Sequence, residues 1–163
     1  MQRLDPGLLA RCARLPTSSI SDALDKLGIA GQVDGLRPML AGARICGQAL
    51  TLRYLPVGPA GGTVGDFLHL AEAGDVICID NRARVDCTVW GNILTEAAKA
   101  RGIVGTVIEG VNRDVGESRD YGYPIWSREP FAHWQGSRDA GRGERADRVR
   151  PCPRRSRRCD LRR

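Results

Sequence analysis

The sequence predicts an α/β fold, a single domain with a central parallel βαβ unit. The 163-residue length is that of one domain with its own core. A short apolar run at residues 76–79 predicts a strand, and a second at residues 103–108 predicts another. Between them, apolar residues three or four apart from Ile93 to Ala98 predict a helix that stops at Gly102. Strand, helix and strand in this order are typical of a βαβ unit.

Four elements are predicted before this unit. Asp5 and Pro6 begin a short helix that reaches Cys12, with proline in its first turn. A second helix is expected over residues 20–27, with residues 17–19 as hydroxyl caps and Gly28 as its end. A strand at residues 47–54, a flexible loop at 56–62 and an amphipathic helix at 64–72 complete this half.

After the unit, residues 115–120 predict one helical turn and residues 121–126 a short strand. Residues 1–128 are therefore expected to form the domain. Residues 129–163 lose apolar periodicity and become rich in arginine, which is typical of disorder. A frameshift or a truncated gene is one explanation for such a tail.

Charge and composition restrict the function classes. Residues 137–163 contain eleven arginines and four acidic residues, a net charge of +7, so the rest carries −1 of the chain's +6. The body is nearly neutral, which argues against nucleic acid as its partner. The sequence has no apolar run of membrane-spanning length and no signal peptide, so a cytoplasmic protein without a membrane partner is expected. The scattered cysteines and isolated histidines predict no zinc site.

Ligands of open parallel sheets bind where the strands end. Asp80 follows the first strand of the unit, and Glu109, Arg113 and Asp114 follow the second. The backbone amides of residues 91–94 begin the helix between them, and a helix N-terminus binds anions. We therefore expect all of these groups to lie together at one edge of the sheet.

Three segments of the chain resemble the RraA-like family. They are TSSISDALDKLGIAGQVDGLRP, GDVICIDNRARVDCTVWGNILTEAAKARGIVGTVIEGVNRD and YGYPIW. The family contains 4-hydroxy-4-methyl-2-oxoglutarate/4-carboxy-4-hydroxy-2-oxoadipate aldolases and regulators of ribonuclease E activity. The resemblance covers about residues 4–128. It implies a swivelling β/β/α-type fold, assembled as a homotrimer or a hexamer. Members of the family continue into further strands, so the resemblance implies that the C-terminal strands are missing from this chain.

The resemblance also implies a function, a divalent-metal-dependent class II aldolase. Such a lyase cleaves a 4-hydroxy-2-oxo diacid to pyruvate, with oxaloacetate decarboxylase side activity, and uses Mg²⁺ or Mn²⁺. By this resemblance Asp114 is the metal ligand, and Arg113 binds the keto or enolate oxygen as a catalytic residue. The substrate carboxylate would bind at the amides of Gly91, Asn92, Ile93 and Leu94.

One residue departs from the family pattern. The aldolases have an acidic residue twenty-one positions before the arginine, where this chain has Asn92 in the catalytic position. Asparagine caps a helix but takes up no proton. Glu109, Asp86 and Asp80 are candidate replacements. A non-catalytic regulator that binds a ribonuclease, or an inactive truncated homologue, remains as an alternative. Arg113 and Asp114 could instead form an ordinary surface ion pair, and Trp90 could simply belong to the core.

Overall fold

The computed structural model describes residues 3–56, 64–131 and 144–147. These residues form a mixed α/β domain. Its helices are α1 (Pro6–Arg14), α2 (Thr17–Lys26), α3 (Asn92–Ala100) and α4 (Val115–Asp120), with a 3-10 turn at Leu68–Leu70. Its strands are β1 (Arg37–Pro38), β2 (Gln48–Pro56), β3 (Asp75–Thr88), β4 (Gly105–Asn112), β5 (Ile125–Pro130) and β6 (Glu144–Asp147).

The six strands form one sheet in the order β1-β5-β4-β3-β2-β6. The four central strands are parallel, while β1 and β6 pair antiparallel with β5 and β2. The predicted βαβ unit is confirmed as β3–α3–β4, with Val76 opposite Gly105 and Ile79 opposite Ile108. The site-bearing helix α3 therefore begins where β3 ends.

Strand β3 is much longer than predicted. It continues past Asp80 to Thr88, with irregular pairing where Arg84 lies opposite Gly110 and Thr88 opposite Val111. Arg82 and Ala83 both have left-handed backbone angles, with φ near +55°. Residues 81–88 are mostly polar and their apolar residues follow no clear strand pattern, so only the pairing with β4 makes them part of a strand.

The core lies between the sheet and the elements that cover it. Ile77, Ile108 and Ile125 on the central strands are completely buried. Trp90 is 2% exposed and stacks on Tyr123, with ring centroids 6.2 Å apart and planes inclined by 9°. Trp90 is thus a core residue that packs the turn between β3 and α3 against the sheet.

Three predicted boundaries were wrong. Helix α2 begins at Thr17 after Pro16, so the hydroxyls of residues 17–19 lie in its first turn and do not cap it. The helix expected at residues 64–72 is only the 3-10 turn, because Phe67 is buried at its start and Glu72 N–H bonds to the Asp75 carboxylate. The last predicted strand lies later, at β5, since residues 121 and 122 end α4.

The arginine-rich tail is described only in part. Its residues 144–147 form β6, with Tyr54 of β2 opposite Ala146. Residues 132–143 and 148–163 lie outside the described residues, as does most of the loop predicted at 56–62. The expectation of a disordered, frameshifted tail therefore stays a prediction. Among the helices of the described residues, none is long and apolar enough to cross a membrane.

Candidate functional site

Gly91 lets the side chains of Asp114 and Arg113 meet at the N-terminus of α3. Its backbone is extended, with φ −153° and ψ −167°, a conformation open to any residue. Space is the constraint, because a Cβ atom here would lie 2.6 Å from Asp114 Oδ2 and 3.0 Å from Arg113 Nε. Only glycine allows the two side chains to reach this point without a shift.

Asp114 joins the end of β4 to the start of α3. Its Oδ2 accepts a hydrogen bond from Asn92 N–H at 3.0 Å and lies 3.3 Å from Arg113 Nε. The Arg113 amide donates to Trp90 O at 3.0 Å, which holds the two chain segments side by side. Asp114 has left-handed backbone angles, φ +56° and ψ +43°. An aspartate in this region signals a position held in place by its surroundings.

The amides predicted to bind a carboxylate divide into two pairs. Asn92 N–H is taken by Asp114, and Ile93 N–H donates to the Asn92 side-chain oxygen at 2.9 Å. The amides of Gly91 and Leu94 have no hydrogen-bond partner among the described residues. Half of the predicted anion site is thus occupied by the protein's own side chains.

A network of buried hydroxyl groups holds the turn between β3 and α3 in place. The sequence did not reveal this network. Thr95 is fully buried and its Oγ1 accepts from Trp90 Nε1 at 2.9 Å. The same atom lies 3.0 Å from Gly91 O and 3.2 Å from Ser118 Oγ. Ser118 Oγ in turn donates to Asp114 O at 3.1 Å. The one available signal was a threonine on the apolar face of a predicted helix.

Asp80 and Glu109 do not join the site, contrary to expectation. They lie opposite each other in neighbouring strands, and β3 and β4 both continue beyond them. Each is paired with an arginine. Arg53 Nε is 2.7 Å from Asp80 Oδ2, and Arg128 Nη2 is 3.0 Å from Glu109 Oε1. The prediction failed because it ended β3 nine residues too early.

Asp86 is also paired with an arginine, Arg84 of the same strand. Arg84 donates to both of its oxygens, at 2.9 Å and 2.7 Å. These hydrogen bonds hold the pKa of Asp86 below its usual value. A carboxylate with a lowered pKa is a poor proton acceptor, so Asp86 is an unsuitable replacement for the acid missing at position 92.

The groups at the N-terminus of α3 border a cleft of about 540 Å³. Arg113, Asn92, Gly91 and Leu94 line it, together with Asp66, which the sequence did not single out. Asp66 is exposed and has no hydrogen-bond or ion-pair partner among the described residues. Its position after a glycine-rich loop gave no signal, because residues 64–72 were predicted to be a regular helix.

The donor set suits a weakly held, oxygen-bound cation. Oδ2 of Asp114 is used in the contacts above, whereas Oδ1 has no partner among the described residues and the side chain is 28% exposed. No group of three or more acidic, histidine or cysteine side chains suitable for a metal occurs in residues 3–56 and 64–131. A single carboxylate completed by water and substrate oxygens fits Mg²⁺, which keeps several waters when bound.

Comparison with known proteins decides the family. The model of the RraA-like family (Aldolase/RraA) matches residues 17–152, most of the chain. The chain belongs to the RraA-like family. The match continues beyond residue 128, where the resemblance was expected to end, and it includes β6.

Its relatives differ in length and in name. Protein DlpA of Legionella pneumophila is 39% identical over 124 residues, 74% of this chain and 20% of that protein. A protein of Halalkalibacterium halodurans, provisionally named 4-hydroxy-4-methyl-2-oxoglutarate aldolase, is 32% identical over 78% of this chain and 59% of its own length. The chain therefore spans only about a fifth and three fifths of these two relatives.

A solved structure shares the fold. RraAS2 of Streptomyces coelicolor, described as an unusual member of the RNase ES inhibitor RraA protein family, superimposes with a TM-score of 0.78. The match covers 90% of this chain and 73% of RraAS2 at 24% identity. The family thus contains proteins named as aldolases and others named as inhibitors of ribonucleases.

Proposed function

We propose that this protein is a metal-dependent lyase that cleaves a 4-hydroxy-2-oxo acid and releases pyruvate. The observation that carries the proposal is the close approach of Asp114 and Arg113 to Gly91 at the N-terminus of α3. A carboxylate, a guanidinium and free amides at one strand edge are the groups that a 2-oxo acid and a cation require.

Arg113 and the free amides would bind the substrate. The Arg113 side chain is 58% exposed, and its terminal nitrogens have no partner among the described residues. They would donate to the keto oxygen, on which negative charge develops. The amides of Gly91 and Leu94 would hold the 1-carboxylate, with help from the helix dipole.

Asp114 would hold the cation through Oδ1, with water and the substrate oxygens as further ligands. When bound, Mg²⁺ or Mn²⁺ supplies positive charge that stabilises the pyruvate enolate. Asn92 would position the site through its backbone: its amide fixes Asp114, and its side-chain oxygen holds the Ile93 amide.

The cleavage also needs a proton acceptor, and we assign this role to Asp66. The C3–C4 bond breaks, its electron pair passes to the pyruvate enolate, and the C4 hydroxyl becomes a carbonyl as it loses its proton. Asp66 is the acidic side chain among the described residues that line the cleft, and it is free to take that proton. The enolate then takes up a proton to give pyruvate.

A coupled assay of pyruvate release, with and without EDTA, tests the proposal. Oxaloacetate and 4-hydroxy-4-methyl-2-oxoglutarate are suitable first substrates. We expect release with Mg²⁺ or Mn²⁺ and none with EDTA, and we expect Asp114→Ala to be inactive. A folded protein that releases no pyruvate from either substrate with either metal would contradict the proposal.

A non-catalytic regulator that binds a ribonuclease is the second candidate. Asn92 favours it, because an amide stands where the aldolases of the family have an acid, and RraAS2 is named for ribonuclease inhibition. Pull-down with a ribonuclease of the RNase E type separates the two. Capture by wild type and Arg113→Ala alike would support a regulator, whereas absence of capture would count against it. Either function is compatible with assembly as a homotrimer or hexamer, which sedimentation would measure.

A further inference from the structure

Part of the wall of the cleft is aliphatic. Val64, Val89, Ile93 and Leu94 line it, and Val89 is almost completely buried. Ile93 is 74% exposed, although it follows directly on the residue that contacts Asp114. An exposed isoleucine beside a polar site places an apolar surface where part of a ligand would lie.

The cleft is lined by few charged residues. Arg113 is the one cationic residue among the described residues that line it, and Asp66 is the one acidic residue. The keto oxygen would already engage Arg113, and the first carboxylate would engage the amides of Gly91 and Leu94. A second carboxylate further along the substrate would face aliphatic side chains and the charge of Asp66, and an unpaired carboxylate in such surroundings binds poorly.

We infer that the cleft selects 2-oxo monoacids whose chain beyond C4 is aliphatic over the diacids that the family resemblance implies. The second product would then be an aliphatic aldehyde or ketone. The cleft volume of about 540 Å³ leaves room for such a chain, since small-molecule pockets range from about 300 to 1,000 Å³. This inference rests on the proposed function, and it names the substrate class of the same site.

Oxaloacetate is compatible with this selection. Its second carboxylate is carried on the carbon that reacts and leaves as CO₂, so it does not extend along the aliphatic wall. Selection acts instead on groups at C5 and beyond. The diagnostic pair is 2-oxoglutarate and 5-methyl-2-oxohexanoate, which have the same heavy-atom skeleton and differ by a carboxylate against an isopropyl end.

Titration calorimetry of the full chain with these two acids, in magnesium chloride, is the test, and it needs no turnover. We expect 5-methyl-2-oxohexanoate to bind at least about tenfold more tightly than 2-oxoglutarate, with affinity rising about fourfold for each added methylene group in a series from pyruvate. Equal or tighter binding of 2-oxoglutarate would overturn the inference and leave the proposed function standing. Binding of neither acid, nor of pyruvate, would overturn both.

A substitution that places a positive charge on the aliphatic wall provides a second test. Ile93→Arg should bring the ratio of the two affinities towards one or reverse it, because the new cation pairs with the second carboxylate. Ile29→Arg is the matched control, an isoleucine that is 50% exposed and does not line the cleft. Circular dichroism checks that both variants fold. An unchanged ratio in a folded Ile93→Arg protein would show that this wall does not contact the substrate, which contradicts the inference.

Discussion

The carboxylate of Asp114 accepts a hydrogen bond from the backbone amide of Asn92 at 3.0 Å, across twenty-two positions of sequence. One residue thereby stabilises a helix N-terminus and keeps a second oxygen available for a cation. The two roles can be separated by experiment, because the first needs only an acceptor oxygen, whereas the second needs a negative charge.

Asp114→Asn makes that separation. The amide oxygen still accepts from Asn92 N–H, so we expect a folded protein with little change in melting temperature. Pyruvate release should fall by about 100-fold or more, because the charge that holds the cation is lost. Asp80→Asn, which alters a carboxylate paired with Arg53 outside the site, should keep its activity. An active Asp114→Asn protein would reduce Asp114 to a helix cap.

Gly91→Ala tests the close approach of the Asp114 and Arg113 side chains to Gly91. The added Cβ would lie 2.6 Å from Asp114 Oδ2, so the carboxylate must move away from the Asn92 amide. We expect at least a tenfold loss in kcat/KM and a lower melting temperature. Gly116→Ala is the matched control, because a Cβ there meets no atom within 4 Å and alanine favours the helix. Equal behaviour of the two variants would contradict the steric argument.

Asp66→Asn tests the proton acceptor. Loss of a general base reduces the rate by roughly 10²–10⁴-fold, so cleavage of a 4-hydroxy-2-oxo acid should fall by this factor. Oxaloacetate decarboxylation releases CO₂ and needs no proton acceptor, so its rate should stay close to that of the wild type. The ratio of the two kcat values is the measurement. An equal fall in both would assign Asp66 to binding instead.

Thr95→Val tests the buried network beneath the site. Valine keeps the shape but leaves Trp90 Nε1 without its acceptor and removes the contact with Ser118. An unsatisfied buried donor costs about 1–3 kcal/mol, and urea unfolding should show a loss of that size. Thr51→Val, at an exposed position of β2, should change the free energy of unfolding by less than about 0.5 kcal/mol.

We expect the buried hydroxyl of Tyr123 to make the folded protein less stable at alkaline pH. Burial raises the pKa of its hydroxyl from 10.0 to about 12, partly offset by the hydrogen bond with Thr106. In the unfolded chain this hydroxyl therefore ionises at a lower pH than in the folded protein. Its contribution to stability is fully present below pH 10 and is lost as the pH rises towards 12. The loss from this group is about 3 kcal/mol at most. Urea unfolding at pH 9 and pH 11.5 should show a smaller loss in Tyr123→Phe than in the wild type.

Local patterns predicted the elements that are determined by local chemistry. The periodicity of residues 93–98 and the two apolar runs predicted β3–α3–β4, and Asp5 with Pro6 predicted the start of α1, where Asp5 Oδ1 accepts from Leu8 N–H at 2.8 Å. The family resemblance also predicted that Asn92, Arg113 and Asp114 lie together, and they do. Their meeting in space follows from the topology of a parallel unit, which the sequence by itself determines.

Tertiary contacts decided the rest. The polar half of β3 is a strand only because β4 pairs with it, and this extension moves Asp80 and Glu109 away from the site. Asp66 joins the cleft and Thr95 joins Ser118 through packing between segments that are distant in sequence. No periodicity records such contacts, because hydrogen bonds and close approaches between distant residues depend on where the whole chain places them.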